Sequence, residues 1–253
     1  MRFLHAIAGL LVAYSTVAAA AVTPDAARER RWAEQVVPQL IVGDAVWLAT
    51  AHHPKVLALY TEPVAATSNA VIVVHGMGVN PDWNLIGVLR MALADLGFAT
   101  LSVQMPVLAA DAPRTDYAAI FPDAGERLDA ATDWLRARSY SRIAVVSHSM
   151  GSAMVNAWLA KRKRPEVDAW VPVGLLVDFA APPPLPVLDI VAEHDLPEAL
   201  AFAKTRVRSL RDDGCSAPLV VGGTDHYFAN AAARLAKAIK PFLDRAFSGG
   251  CSK

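Results

Sequence analysis

Residues Arg142–Ser152 read RIAVVSHSMGS, and what surrounds them follows from how this stretch is patterned. Ile143–Val146 is a short, unbroken apolar run, as expected of a strand buried on both faces. Ser149 comes within three residues of its end. Met150, Ala153, Met154, Ala157 and Trp158 then recur at helical spacing, so the chain passes directly into a helix. A serine on a tight strand-to-helix turn has its hydroxyl lifted off the sheet edge. The next backbone N–H, that of Met150, is aimed where negative charge would develop on a substrate oxygen. Strand and helix backbones nearly touch at such a turn, so its flanking residues must be small. Ser147 and Gly151 meet that need, with Ser147 standing where glycine is more usual. The plainer reading of Ser149 is a buried hydroxyl donating to a backbone carbonyl.

Working outward, Ala70–Val74 is another all-apolar run, and it ends in His75-Gly76-Met77-Gly78. Trp83, Ile86, Leu89, Arg90, Leu93 and Leu96 follow at helical spacing, closed by Gly97. Thr100–Val103 gives the next strand, and a helix over Gly125–Arg138 precedes the serine stretch. Beyond it, Pro172–Val177, Val187–Ala192 and Pro218–Val221 read as strands, Leu196–Leu210 and Phe228–Phe247 as helices. Alternating strands and helices predict an α/β protein, a parallel sheet with helices on both faces. Ahead of this pattern, Pro24–Val37 reads as an amphipathic surface helix. Asp44–Thr50 and Lys55–Thr61 read as an antiparallel hairpin joined by Ala51-His52-His53-Pro54. His52 and His53 are neighbours whose side chains diverge on a strand, so they read as turn residues. No other His, Cys and Asp grouping has ligand spacing, and neither a metal nor a cofactor is expected.

The chain of 253 residues is 54% hydrophobic, enough for one sizeable core and a single domain over 22–253. Lys plus Arg and Asp plus Glu both number 24, which leaves no basic face to advertise nucleic acid. The one dense basic run, Lys161-Arg162-Lys163-Arg164, suits the C-terminal end of the helix after Ser149. Residues 1–21 read as a secretory signal peptide: Arg2, an apolar stretch over Phe3–Val17, then Ala19-Ala20-Ala21. That stretch is short for a membrane anchor, so cleavage near Val22 and a periplasmic or secreted protein with no stable span are expected, an uncleaved anchor being the minority reading. Export permits disulfides. Cys215 precedes the strand Pro218–Val221 and Cys251 follows the helix after it. In a strand-then-antiparallel-helix unit the two meet at one end of the sheet, which predicts a Cys215–Cys251 bridge.

A nucleophilic Ser149 needs a general base and a group that orients the base. Of the seven histidines, only His194 and His226 follow it. His226 comes just after the last apolar strand, in Gly222-Gly223-Thr224-Asp225-His226, where glycines let a loop approach closely. This makes it the expected base; a helix-start residue on a surface loop is the plainer reading. For the acid, Asp195 lies just past Val187–Ala192, and Asp178, after the previous strand, is the second candidate. Asp189 falls inside its strand and reads as a structural hydrogen-bond partner. Gly76 and Gly78 let a backbone N–H stand unshielded, so the N–H groups of Met77 and Met150 are the candidate oxyanion donors.

HGMGVNPDW at 75–83, a helix, LSVQMP at 101–106, the serine turn, then Asp and His in that order resemble the α/β-hydrolase superfamily over essentially all of 22–253. Within it the chain is similar to a subgroup of exported bacterial proteins with no assigned activity. The resemblance implies an eight-stranded, mostly parallel sheet and a Ser149, Asp195, His226 triad. Ser147 and Ala192 depart from its usual glycines. Only Asp178–Pro186 is available where the superfamily often inserts a lid, so no lid domain is expected. The connection Val107–Ala124, with Asp111, Arg114, Tyr117 and Phe121, should wall a pocket faced by Trp83 from the other side. His75, Gly76, Trp83, Arg114 and Tyr117 form the expected substrate-binding set. Arg114 suits a substrate carboxylate or phosphate, although a surface ion pair is the commoner fate of such a residue.

The function expected is that of an exported, carboxylesterase-like serine hydrolase. It would cleave a small-molecule ester, thioester or small amide through an acyl-enzyme on Ser149. A non-catalytic envelope binding or scaffold protein that keeps the fold is the alternative, and a peptidase is a third reading.

Overall fold

The computed structural model describes residues 22–251; the signal-peptide reading of 1–21 lies outside them. The strands are β1 (Asp44–Leu48), β2 (Val56–Thr61), β3 (Asn69–Val74), β4 (Ala99–Val103), β5 (Arg142–His148), β6 (Ala169–Val173), β7 (Leu188–His194) and β8 (Ala217–Asp225). They form one sheet in the order β1-β2-β4-β3-β5-β6-β7-β8. The β1–β2 and β2–β4 pairings are antiparallel and the others parallel. The α-helices are α1 (Ala26–Val36), α2 (Asn84–Asp95), α3 (Phe121–Arg136), α4 (Met150–Ala160), α5 (Pro197–Arg206) and α6 (Ala232–Phe247).

Apolar side chains on both faces of the central strands build two cores, because successive residues of a strand point to opposite sides. Ala70, Ile72 and Val74 of β3 join Ile143 and Val145 of β5 on one face, under Leu128 and Leu135 of α3 and Met154 and Trp158 of α4. Val71, Val73, Ala144 and Val146 meet Leu85, Leu89 and Leu93 of α2 and Leu235, Ile239 and Leu243 of α6 on the other. A third, small cluster puts Leu57 and Leu59 of β2 against Ala33 of α1. Pro218 sits in β8, an edge strand, where a missing N–H is tolerated.

Several boundaries differ from the expected ones. β6 ends at Val173, not Val177, because Gly174 turns the chain out of the sheet at φ +60°. β7 runs two residues past Ala192, through a bulge, to His194. α3 begins at Phe121 and not Gly125, with Pro122 in its first turn, where the absent N–H costs nothing. α6 starts at Ala232 because Phe228, fully buried at φ +50°, forms a separate turn. Cys215 and Cys251 are joined by a disulfide with Cα atoms 5.4 Å apart, tying the start of β8 to the segment after α6. The β6–β7 connection carries no lid domain.

Candidate active site

The strand-to-helix turn holds Ser149 at φ +53°, ψ −120°, a strained conformation for a residue with a side chain. Its N–H donates to Val173 O at 2.9 Å, which fixes the turn to β6. A Cβ on Gly151 would run into the backbone oxygen of His75 and Val74 Cγ1, so only glycine lets α4 start this close to the end of β3. Ser147, in the position where glycine is usual, is buried and fully engaged. Its Oγ receives the Trp170 indole N–H at 2.9 Å and donates to Ser152 Oγ at 3.0 Å.

His226 Nε2 lies 2.9 Å from Ser149 Oγ, and its Nδ1 lies 2.5 Å from Asp195 Oδ1. Asp195 also accepts the Ala192 N–H at 2.9 Å and the Leu196 N–H at 2.8 Å. Burial pushes its carboxyl up, but the His226 hydrogen bond and these two N–H groups outweigh burial and hold it below the ordinary carboxylate range. An ionised Asp195 can only accept, so His226 Nδ1 carries the proton and Nε2 presents its lone pair to the serine. Gly174 makes room for this ring: a Cβ there would come within 2.9 Å of His226 Cε1 and Nδ1. Asp178 instead accepts the Thr205 hydroxyl at 3.0 Å and the Phe179 N–H, and His226 bonds to Asp195 and not to it. Asp189 forms a buried two-pronged pair with Arg206 at 2.8 and 3.1 Å. His194 is exposed beside Glu193.

Two hollows open from Ser149. The larger, about 440 Å³, is lined by Arg114, Phe121, Ala153, Ala157, Leu176 and Val177 among others. The smaller, about 180 Å³, is lined by Gly76, Met77, Trp83, His148, His226 and Tyr227 among others, and Arg114, Ser149, Met150 and Leu176 border both. Arg114, Trp83 and Gly76 thus line the hollows beside Ser149. Arg114 is half exposed and pairs loosely with Glu198 at 3.6 Å.

Two expected substrate contacts do not stand there. Tyr117 is turned into the core, 2% exposed, and its hydroxyl accepts the Leu108 N–H. His75 is fully buried: Nδ1–H donates to Gly76 O at 2.8 Å, while Nε2 accepts the Met105 N–H at 2.8 Å and the Gln104 amide at 3.1 Å. Burial lowers its pKa to about 4, so it is a neutral clamp on the Gly76–Gly78 loop. Apolar-run reasoning had no reason to turn these side chains inward, since both precede or interrupt loop segments.

His148 was not singled out from the sequence, although it adjoins the serine. Its Nε2–H donates to His226 O at 2.8 Å, and the two rings lie 4.9 Å apart between centroids. Burial, aided by the neighbouring His226, lowers its pKa to about 4. Met150 is the first residue of α4, so its N–H has no preceding turn to bond. Met150 lines both hollows, and Met77 lines the smaller. Among the described residues, no three His, Cys, Asp or Glu side chains are grouped so as to hold a metal ion.

A family model described as a protein of unknown function (DUF3530) matches residues 10–126, stopping short of Ser149. Comparison with curated proteins gave no match. Among solved structures, Est1E from Butyrivibrio proteoclasticus is 14% identical at a TM-score of 0.65, over 81% of this chain and 99% of that one. Dienelactone hydrolase from Anabaena variabilis is 21% identical at 0.64, over 79% and 96%. A member of the α/β serine hydrolases without a lid, from Xanthomonas campestris, is 19% identical at 0.64, over 81% and 95%. With this sheet order, this serine turn and these structural likenesses, the chain has the α/β-hydrolase fold, in a form without a lid domain.

Proposed function

We propose that the protein is an exported serine hydrolase that cleaves a small-molecule ester, thioester or small amide through an acyl-enzyme on Ser149. The observation that carries this reading is the continuous hydrogen-bonded line from Ser149 Oγ through His226 to Asp195, at 2.9 and 2.5 Å. In this reading His226 Nε2 takes the hydroxyl proton as Oγ attacks the carbonyl carbon, and Asp195 stabilises the imidazolium that forms. The N–H groups of Met77 and Met150 receive the oxyanion, each worth roughly 3–4 kcal/mol in a known case. His226 then hands the proton to the departing group, and a water activated by the same ring releases the acid. The fold shared with esterases and serine hydrolases, at low identity, supports hydrolysis and not a substrate. The Cys215–Cys251 disulfide suits an oxidising compartment, in line with export.

A fluorophosphonate probe with mass-spectrometric mapping tests the reading. The wild type should be labelled at Ser149 and should hydrolyse p-nitrophenyl acetate, and Ser149→Ala should lose both. Labelling retained in Ser149→Ala would sink the assignment. A folded wild type that takes no label would instead favour the scaffold reading.

A further inference from the structure

The two hollows beside Ser149 are unequal, and the proton path says which part of a substrate each takes. During acylation the serine proton, held on His226 Nε2, must reach the departing oxygen, so the leaving group has to lie within hydrogen-bond reach of that ring. His226 lines the smaller hollow, of about 180 Å³, and not the larger. The tetrahedral carbon has four substituents. Oγ takes one, the oxyanion faces Met77 and Met150, the leaving oxygen faces His226, and the remaining substituent points into the larger hollow. That hollow, of about 440 Å³, is within the size range of cavities that bury whole small ligands.

The chemistry of its wall is also readable. Ala153 and Ala157 lie one turn apart on α4 and present an open apolar floor, with Phe121, Leu176 and Val177 around it. The polar side chains among the lining residues already have partners. Asn156 donates to Asp178 O at 2.9 Å and accepts the Ala180 N–H at 3.1 Å. Asp178 accepts the Phe179 N–H and the Thr205 hydroxyl, and the Thr115 hydroxyl donates to Asp116. No buried polar group there asks for a polar acyl chain. Arg114, at the junction, is half exposed and paired with Glu198.

We propose that the substrate is an ester whose larger, apolar part is its acyl group and whose smaller part is its alcohol, an inference that rests on the acyl-enzyme reading above. The acyl chain lies against Phe121, Ala153, Ala157 and Val177, the alcohol lies beside His226, Trp83 and Tyr227, and Leu176 stands between the two. The Ser149 Oγ–carbon bond forms as the carbon–alcohol oxygen bond breaks. The serine proton leaves on the alcohol, and water restores Ser149 while releasing the carboxylic acid.

Two isomeric esters separate the arrangements: methyl octanoate, with a long acyl chain and small alcohol, and heptyl acetate, with the reverse. The expected kcat/KM for methyl octanoate exceeds that for heptyl acetate by about tenfold or more, in keeping with what a few methylenes in an apolar pocket discriminate. Ala157→Trp, and separately Ala118→Trp on the exposed turn at the hollow's mouth, should bring that ratio toward one. If Ser149 takes a fluorophosphonate label but heptyl acetate is cleaved equally well or better, or neither ester is cleaved, this proposal alone falls. A ratio unmoved in both tryptophan variants likewise overturns it. If neither ester is cleaved and Ser149 takes no label, the acyl-enzyme reading falls and this inference with it.

Discussion

Ser149 is held at φ +53° by its bond to Val173 and by the close approach of Gly151 to His75, a conformation that costs on the order of 1–3 kcal/mol. In this conformation its hydroxyl lies 2.9 Å from His226 Nε2. The acid can be assigned at this scale. Asp195→Asn should lower kcat on p-nitrophenyl acetate by about 10⁴-fold, the size of the effect of a wrong imidazole tautomer in a serine protease. Asp178→Asn should leave that kcat close to wild type; the opposite ranking would reassign the acid. His148 holds His226 at its main chain, donating to His226 O, with the two rings 4.9 Å apart and tilted by 41°. His148→Phe removes one net hydrogen bond, so kcat should fall by about tenfold with KM little changed. An unchanged kcat would mean that the bond does nothing to position His226.

At the scale of elements, the segment leaving β6 is held by a buried clamp. Arg206, near the end of α5, pairs with Asp189 of β7 and also donates to Leu175 O at 3.0 Å and Val177 O at 2.8 Å. Burial pushes the Asp189 carboxyl up while Arg206 pulls it down. Arg206→Met would strand that carboxylate in the core, and urea unfolding should register a loss of about 3–5 kcal/mol. The clamp also shapes the wall formed by Leu176 and Val177, which helix periodicity alone could not reveal. The disulfide closes a separation of 36 residues. Replacing both cysteines by serine should cost about 2–4 kcal/mol, read in the same assay under non-reducing conditions.

For the molecule as a whole, two fully buried imidazoles set a response to acid. His75 and His148 have pKa values lowered from 6.5 to about 4 by burial. Below 6.5 the unfolded chain takes up protons that the folded one refuses until about 4. Stability therefore falls as pH drops through that window and is level, as far as these rings go, above it. The total is on the order of a few kcal/mol, and urea midpoints at about pH 7.5 and about pH 5 should reveal it. His148→Asn should shrink the difference between those midpoints; an undiminished difference would place the acid sensitivity elsewhere. At this scale β3 and β5 lie at the middle of the sheet, while β1 and β2 extend it under α1.

Local sequence determined the strand-and-helix alternation, because apolar periodicity of two or 3.6 residues is imposed by the elements themselves. It also marked the serine turn, the hairpin at Asp44–Thr61, and the cysteines that stand at one end of the sheet. Chain order beyond strand ends, read with the order that the α/β-hydrolase resemblance implies, nominated Ser149 and His226 and left the acid between Asp195 and Asp178. What only the tertiary structure decided were contacts between segments far apart in the chain. These include the inward turn of His75 and Tyr117, the His148 bond to His226 and the Trp170 bond that fixes Ser147. The room Gly174 leaves for His226 and the division of the cleft into two unequal hollows belong with them. Each depends on where a side chain points once distant segments pack, and a one-dimensional pattern carries no such direction.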